Sequence, residues 1–239
     1  LRFAEAVSKV IKKLDNKSIL IARDTRNSGK MIEKKIIKIF IKNGINIFKA
    51  GIVPSPCVSS LLKSNKFSLG IMITASHNPA SDNGIKLFSK NGYKLDKTIE
   101  NIIENEMLLN KESYIKGEKK GVEYSIKKPF TNYISKVKQA YFYDKYIDNK
   151  ILIDCANGAF SKLITQIFKK NRNIKVINNK PNGSNINYKS GAVYPDILYK
   201  KLLKYKYDYG VAFDGDGDRV IFVSKEYKGL IETEKILIL

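Results

Sequence analysis

The chain has 239 residues, of which 43% are hydrophobic and 10% aromatic, a composition that supports a folded core and argues against disorder. No apolar run approaches the roughly 18 residues that a membrane span needs, and the charged residues within Leu1 to Leu14 exclude a signal peptide. The net charge of +21 comes almost wholly from lysines that are scattered singly. Because these lysines form no basic stripe in the sequence, we interpret the charge as codon bias and expect no nucleic-acid partner.

The chain ends and the cysteines give two further expectations. The chain starts at Leu1 and ends in the apolar run Ile236 to Leu239 without a stop signal, so we expect a piece of a longer protein. Cys57 and Cys155 form neither a disulfide framework nor a metal-binding spacing. We therefore expect two reduced thiols and a cytoplasmic location.

Short β-branched runs alternate with helical periodicity along the chain, which is the pattern of βαβ units and a mostly parallel sheet. In chain order, the predicted elements are strand Ser18 to Ala22, helix Lys30 to Lys42, strand Ile45 to Phe48, helix Pro56 to Lys63, strand Ser68 to Ile73, helix Ile99 to Leu109, helix Tyr133 to Phe142, strand Ile151 to Ile153, helix Phe160 to Lys169, strand Ile174 to Ile177, helix Asp196 to Tyr205, and strands Tyr209 to Phe213 and Val220 to Val223. This order predicts an α/β protein with mixed, mostly parallel sheets.

A polar, lysine-rich stretch from Asn110 to Lys128 has little apolar periodicity and ends at Pro129. Such a stretch is typical of a domain boundary. The sequence therefore predicts two consecutive α/β domains, 1–130 and 131–239. No short repeat is present, but the two halves are candidates for structurally related units.

The first loop whose residue types could carry out chemistry is TASHNP at 74–79, directly after a predicted strand. Small residues, a hydroxyl and a proline at the carboxyl end of a strand predict an exposed turn where α/β folds place their sites. Ser76 is a candidate nucleophile, although adjacent residues such as Ser76 and His77 rarely face each other. An ordinary turn with capping side chains is the alternative. Lys86, which follows closely, suits a phosphate site.

The second loop is DGDGDR at 214–219, between two apolar strands. Three carboxylates at alternating positions repel one another and predict a hard cation, Mg²⁺ or Ca²⁺. An EF-hand fails on spacing, since Arg219 and Lys225 stand where that loop needs glycine and glutamate. A solvated acidic turn is the alternative without a metal.

The third loop is DTRNSG at 24–29, after the first strand and at the start of a helix. Ser28 and the free amides of the helix start are candidates to hold an anion, and Arg26 is a candidate to fork onto phosphate. A simple helix cap explains the loop equally well. Arg23, Arg26 and Arg219 are three of only five arginines, so arginine is placed where bidentate geometry matters.

These three loops, in this order on α/β domains, resemble those of the phosphohexomutase superfamily, over nearly the whole chain. The alanine before Ser76 is similar to the phosphoglucosamine mutase branch, whereas the phosphomannomutase and phosphoglucomutase branch more often has glycine there. Three further runs carry the same resemblance: DNGIK at 82–86, DCANGA at 154–159 and PNGSNIN at 181–187.

The resemblance implies a four-domain enzyme in which 1–130 and 131–239 are the first two domains, with domains III and IV beyond Leu239. It implies that phosphorylated Ser76 and one Mg²⁺ take part, with a hexose 1,6-bisphosphate as activator and a small phosphosugar as substrate. The implied metal ligands are Ser76, Asp214, Asp216 and Asp218. The implied catalytic residues are Ser76, His77, Lys86, Arg26 and Arg219.

By the same resemblance, phosphoserine phosphorylates glucosamine 6-phosphate, and the bisphosphate intermediate reorients before the other phosphate returns to Ser76. Lys86 is implied as the acid–base group, with His77 supporting it, while Arg219 shares the charge of the phosphoryl group and Arg26 steadies the site. The chain departs from the family at Glu232-Thr233-Glu234, where Asp-Gly-Asp is usual. The family's opening motif and its sugar-selecting and phosphate-binding loops are also outside the chain. We therefore expect no complete turnover by this chain alone.

Three alternatives stay open at this point. The first keeps the chemistry and changes the sugar to mannose or glucose phosphates. A basic nucleic-acid-binding module predicts salt-sensitive binding that is indifferent to Ser76→Ala. A calcium-binding structural domain predicts that Ca²⁺ raises thermal stability far more than Mg²⁺ does.

Overall fold

The structure is a computed structural model that describes residues 1–14, 16–64, 67–109, 120–140, 148–168 and 171–231. The chain divides into two compact units. Unit 1 comprises Leu1–Arg23, Ser28–Ile73 and Gly84–Tyr133, and unit 2 comprises Asp24–Asn27, Thr74–Asn83 and Ile134–Leu239. In the described ranges, no helix is both long and apolar enough to span a membrane.

Unit 1 is built on a five-stranded sheet with the strand order β4-β3-β1-β2-β5. Only β4 runs antiparallel to its neighbour in this sheet. The elements up to β5 are α1 (Arg2–Lys12), β1 (Ser18–Arg23), α2 (Asn27–Lys42), β2 (Asn46–Ile52), α3 (Ser55–Ser64), β3 (Leu69–Ile73), β4 (Ile85–Ser89), α4 (Lys97–Leu108) and β5 (Glu123–Ser125).

The second sheet also has five strands, in the order β10-β9-β8-β6-β7. Strands β6, β7 and β8 are parallel, while β9 and β10 continue the sheet in antiparallel pairs. The remaining elements are α5 (Thr131–Ala140), β6 (Ile151–Asp154), α6 (Ser161–Ile167), β7 (Ile174–Ile177), α7 (Pro195–Tyr205), β8 (Tyr209–Phe213), β9 (Val220–Ser224) and β10 (Gly229–Ile231).

The two sheets share one topology. The order β4-β3-β1-β2 of the first is repeated as β9-β8-β6-β7 in the second, with the same parallel and antiparallel pairings, and each sheet adds one further edge strand. The two halves of the sequence are therefore structurally related units, as the sequence analysis proposed. One consequence is that the loop after β3 and the loop after β8 occupy equivalent positions, and so do the loops after β1 and β6.

Each sheet buries an apolar core of its own. In unit 1 the central strands are completely covered, with Ile19, Ile21, Ile71 and Ile73 at 0% exposure. The core of the second sheet is smaller and gathers Leu152, Leu198, Leu202, Ala212 and Val223. Such burial stabilises by about 25 cal/mol for each Å² of apolar surface removed from water.

The predicted fold class is confirmed: both sheets are mixed, and among the described residues five of their eight strand pairings are parallel. Every predicted strand and helix is present, with ends that differ by a few residues, although Lys169 and residues 141–142 lie outside the described ranges. Most of the predicted boundary segment, 110–119, and Glu232-Thr233-Glu234 lie outside them as well. The domain limits 1–130 and 131–239 stay a prediction.

Four elements of the structure are not among the predicted ones: α1, β4, β5 and β10. Helix α1 is amphipathic and buries Ala4, Val7 and Ile11, but its first residues were considered only as a possible signal peptide. Strand β5 has three exposed residues and therefore no apolar signal. Strand β10 is equally short, and β4 buries only its central residue, Leu87.

Candidate functional site

The loop that follows β3 presents Ser76 in a strained backbone conformation. Ser76 has a φ of 52°, in the left-handed region that non-glycine residues rarely adopt. Its backbone N–H donates to Thr74 Oγ1 at 2.8 Å, and the Thr74 hydroxyl in turn donates to Asp24 Oδ2 at 2.7 Å. Residues in such conformations cluster at functional sites, where the surrounding structure has to hold them.

The loop that follows β8 brings three carboxylates together. Asp214 and Asp216 are buried and Asp218 is exposed, and one oxygen of each lies within 4.8 Å of the others. Asp214 Oδ1 accepts hydrogen bonds from the backbone N–H groups of Gly217 at 3.0 Å and Arg219 at 3.3 Å. Gly217 has a φ of 73°, which a glycine adopts without strain. The tight loop therefore depends on both Gly217 and Asp214.

The Ser76 hydroxyl lies between a carboxylate and a guanidinium. Ser76 Oγ donates to Asp214 Oδ2 at 2.6 Å and accepts from Arg219 Nη2 at 3.0 Å. Arg219 Nε lies 3.4 Å from Asp214 Oδ2 and 3.8 Å from Asp218 Oδ1. Because the Arg219 side chain is still 52% exposed, its guanidinium is accessible to an anion at Ser76. The structure thus brings together Ser76, Arg219 and the three aspartates that the sequence singled out.

The donor set of this loop fits Mg²⁺. Burial raises the pKa of the Asp214 carboxyl; the hydrogen bond from Ser76 opposes this, and the Asp216 and Asp218 carboxylates raise it further. The close approach of three like charges therefore costs free energy that a divalent cation would offset. Carboxylate and hydroxyl oxygens are also the hard ligands that Mg²⁺ prefers.

His77 is exposed and contacts Arg219 rather than Ser76. Arg219 Nη2 and His77 Nδ1 are in close hydrogen-bonding contact. A guanidinium can only donate, so Nδ1 is the acceptor and any proton on the neutral ring is at Nε2. The adjacent Ser76 and His77 side chains are thus not arranged as a hydrolase pair, in agreement with the reasoning from their adjacency.

The structure does not leave Arg26 accessible to a phosphate, contrary to the expectation that its guanidinium forks onto one. Its side chain is completely buried, and Nε donates to Asp24 Oδ2 at 2.9 Å. The remaining guanidinium N–H groups donate to four backbone carbonyls, those of Ser76, Asn78, Pro79 and Asp82. All five donors are therefore directed to the chain itself. Arg26 is a positioning residue for the Ser76 loop, because burial leaves it no surface for a ligand.

Asn187 is the last residue of the PNGSNIN run at 181–187, and the sequence predicted no role for it. Its Nδ2 donates to Ser76 O at 2.8 Å and to Asn78 O at 3.0 Å, and the residue is only 5% exposed. The residue comes from the long loop after β7, more than 100 positions away from Ser76. The one local signal was the run of turn-forming residues at 181–187, which indicates an ordered loop without naming its contact.

The same loop forms one wall of an open pocket of about 330 Å³ beside His77. Asn78 and Pro79 line it from the Ser76 loop, and Tyr188 and Tyr194 line it from the loop after β7. The pocket therefore adjoins the Ser76 loop.

Two other candidates lie in unit 1. Lys86 is in β4, where it pairs with Met72 of β3. Ser28 is in the first turn of α2, half-buried. The acid–base role of Lys86 and the anion-binding role of Ser28 stay predictions.

Fold and site together define a class: a chain with two α/β sheets of the same strand order, in which one unit holds a serine loop against an acidic loop. The chain belongs to the phosphoglucomutase/phosphomannomutase family, whose alpha/beta/alpha domain I matches residues 1–114 and whose domain II matches residues 128–229.

Curated relatives have a more specific name. The chain is 38% identical over 225 residues to a phosphoglucosamine mutase of Helicobacter acinonychis, covering 92% of this chain and 50% of that protein. It is 40% identical over 216 residues to one of Agrobacterium fabrum, covering 87% and 47%. The chain thus spans about half the length of the curated relatives it matches.

A solved structure agrees on the fold. A phosphoglucomutase/phosphomannomutase family protein from Burkholderia thailandensis superposes with a TM-score of 0.76 at 21% identity. The match covers 99% of this chain and 52% of that one.

Proposed function

We propose that this chain supplies the nucleophile and the metal-binding loop of a phosphoglucosamine mutase, which interconverts glucosamine 6-phosphate and glucosamine 1-phosphate. The observation that carries the proposal is the position of Ser76 Oγ, 2.6 Å from Asp214 Oδ2 and 3.0 Å from Arg219 Nη2, beside three clustered carboxylates. The names of relatives at 38% and 40% identity support glucosamine as the sugar.

In the proposed reaction, the phosphoryl group on Ser76 passes to a hydroxyl of the sugar phosphate. The Oγ–P bond breaks, a P–O bond to the sugar oxygen forms, and the proton of the sugar hydroxyl is transferred to Ser76 Oγ. The bisphosphate then reorients, and its other phosphoryl group returns to Ser76 by the same exchange. Each transfer leaves the number of phosphoryl groups unchanged, so the product is the isomeric monophosphate.

The residues around Ser76 have separate physical roles in this proposal. Ser76 Oγ, Asp214, Asp216 and Asp218 would hold one Mg²⁺, which when bound neutralises part of the negative charge of the transferring group. Arg219 donates to the oxygen that carries the phosphoryl group and stabilises the charge that develops there. Arg26 donates hydrogen bonds to backbone carbonyls of the Ser76 loop. These bonds favour a fixed position of the phosphoryl group for attack by the sugar hydroxyl.

Lys86 and His77 keep the roles that the family resemblance implies. We propose that Lys86 exchanges the proton of the sugar hydroxyl and that His77 supports it. His77 also orients the Arg219 guanidinium, with which it is in contact. A hexose 1,6-bisphosphate would restore the phosphoserine when it is lost. The reducing cytoplasm is the compartment we propose, because Cys57 and Cys155 are both free and buried.

The decisive experiment is phosphopeptide mass spectrometry after incubation with Mg²⁺ and glucose 1,6-bisphosphate. We expect one phosphoryl group on Ser76 that is absent without the metal and absent in Ser76→Ala. Ser81→Ala is the matched control, because Ser81 is exposed in the same loop and its hydroxyl donates to the neighbouring Asp82. Label that persists in Ser76→Ala, or that forms equally without metal, would contradict the proposal.

Mannose or glucose phosphates are the second candidate substrates, because the matching family model is named for phosphoglucomutase and phosphomannomutase. Competition among the three sugar phosphates, measured with the complete gene product, distinguishes them. Preference for a substrate other than glucosamine phosphate would overturn the sugar assignment and leave the chemistry at Ser76 intact.

A further inference from the structure

We propose that Asn187 is a positioning residue that holds the Ser76 loop in its reactive conformation. This inference rests on the proposed function for its rate effect, while its structural part concerns the loop itself. The side-chain amide of Asn187 and the guanidinium of Arg26 together fix two carbonyls of the loop, and through them the direction of the Ser76 hydroxyl.

The amide of Asn187 bridges two backbone carbonyls of the Ser76 loop. Nδ2 donates one hydrogen bond to Ser76 O at 2.8 Å and one to Asn78 O at 3.0 Å, so both of its N–H groups are used. The backbone of Asn187 is itself anchored, because its N–H donates to Ala156 O at 2.9 Å. Asn187 has a φ of 58°, a conformation that asparagine tolerates better than most residues.

The same two carbonyls are held a second time by Arg26. Arg26 Nη2 donates to Ser76 O and to Asn78 O, each at 2.9 Å. Each carbonyl therefore accepts two hydrogen bonds, and its capacity of two is filled. Ser76 cannot leave its left-handed conformation by rotating its carbonyl without breaking bonds to both partners. This double attachment explains how a strained serine stays in place.

The acidic loop packs directly on this arrangement. A Cβ added to Gly215 would lie 2.6 Å from Ser76 O and 2.8 Å from Asn187 Nδ2, so the position admits no side chain. Gly215 O also accepts a hydrogen bond from Ala159 N at 2.8 Å, which ties the acidic loop to the segment that anchors Asn187. A shift of the Ser76 carbonyl would therefore change the spacing between Ser76 Oγ and Asp214.

The orientation of the amide is determined by these two bonds. Asn187 Oδ1 is buried and, within the part of the chain that the structure describes, has no hydrogen-bond partner. A flipped amide would place that oxygen against two carbonyl oxygens, which is electrostatically unfavourable. The side chain thus keeps its donors on the Ser76 loop although its own acceptor is left unsatisfied.

The test compares Asn187→Gly and Asn187→Asp with Lys189→Gly. Glycine keeps the left-handed backbone of Asn187 and removes both donors, whereas aspartate keeps the shape and replaces the donors with an acceptor. Lys189 has a φ of 46° in the same loop, so Lys189→Gly reproduces the backbone change away from Ser76. Three quantities are measured: amide hydrogen exchange of residues 74–83, Mg²⁺ affinity by calorimetry, and the rate of Ser76 phosphorylation by glucose 1,6-bisphosphate.

We expect faster hydrogen exchange in 74–83 and at least about a tenfold loss of phosphorylation rate in Asn187→Gly, with a larger loss in Asn187→Asp. The Mg²⁺ dissociation constant should stay within about threefold, because the three carboxylates are retained. A merely structural role would lower the phosphorylation rate and the Mg²⁺ affinity together. Lys189→Gly should match the parent chain in all three quantities.

The outcomes separate this inference from the proposed function. Unchanged hydrogen exchange in 74–83 of Asn187→Gly would overturn the positioning role, whatever the rate. An unchanged phosphorylation rate would overturn it as well. If the parent chain takes no phosphoryl group, the proposed function fails, and the exchange measurement alone then decides whether Asn187 holds the loop. Asn187→Gly carries the test if Asn187→Asp does not fold.

Discussion

The hydroxyl of Ser76 donates a hydrogen bond of 2.6 Å to Asp214 Oδ2 across 138 positions of the chain. The two residues are in loops that follow equivalent strands, β3 and β8, of two sheets with the same strand order. The contact between the Ser76 loop and the acidic loop thus lies within unit 2 and joins loops that follow equivalent strands of the two sheets. Substitutions in the acidic loop and substitutions at residues that hold the Ser76 loop therefore both test the site.

Replacing Asp216 with asparagine should weaken Mg²⁺ binding by roughly tenfold or more while the fold is retained, since one hard ligand loses its charge. Without metal, the same change should raise the thermal midpoint, because it removes one of three carboxylates that repel one another. Calorimetry and thermal unfolding measure the two effects. Asp196→Asn, an exposed change in the first turn of α7, is the control for the loss of one negative charge. Unchanged affinity would remove Asp216 from the metal site.

Adding Mg²⁺ should stabilise the chain. A ligand that binds only the folded state at about 100 times its dissociation constant contributes about 2.7 kcal/mol. We expect this gain in thermal unfolding scans, its reversal by a chelator, and its absence when Asp214, Asp216 and Asp218 are all changed to asparagine. A gain that is far larger with Ca²⁺ than with Mg²⁺ would instead support a calcium-binding structural domain.

Arg26→Lys should destabilise the chain strongly although it preserves the charge. A lysine has three donors on one nitrogen and cannot reach Asp24 and four carbonyls that the planar guanidinium serves together. Breaking such a buried ion pair costs about 3 to 5 kcal/mol. Urea unfolding gives the free energy difference, and the exposed Arg172→Lys, expected within about 0.5 kcal/mol of the parent, is the control. A similar small effect for both would show that the buried contacts contribute little.

The buried Asp154 should make stability fall as pH rises. Burial raises the pKa of Asp154 above its ordinary value of 3.8, although hydrogen bonds from Ala156 N and other groups oppose the shift. The folded state therefore holds the proton more tightly than the unfolded state. The stability that Asp154 contributes is complete below its unfolded pKa and is lost as pH rises through the folded pKa.

Urea unfolding of the parent chain and of Asp154→Asn, at a series of pH values from about 3 upward, measures this contribution. The difference in unfolding free energy between parent and variant should become less favourable to the parent as pH increases. A difference that grows in favour of the parent would mean that hydrogen bonds outweigh burial at this carboxyl.

Local pattern was sufficient for much of the fold. Buried strands such as Leu69–Ile73 and amphipathic helices such as Pro195–Tyr205 carry their own periodicity, because burial selects apolar residues at regular spacing. The exposed strand Glu123–Ser125 carries none, since only its backbone pairing with β2 makes it a strand. Predicting this strand would have required knowing that the edge of β2 is available to pair with it.

For the site, the sequence by itself determined which side chains are chemically capable: the serine after a strand, the three alternating aspartates and the scarce arginines. These are local properties of residue type and spacing. Only the tertiary structure decided their contacts, because it buries Arg26 against carbonyls of the Ser76 loop and places Arg219 beside the Ser76 hydroxyl. It also brought in Asn187, whose contact with Ser76 O depends on two loops from different strands meeting. Hydrogen bonds between residues far apart in the chain leave no periodicity in a single sequence, and for that reason they had to be seen in space.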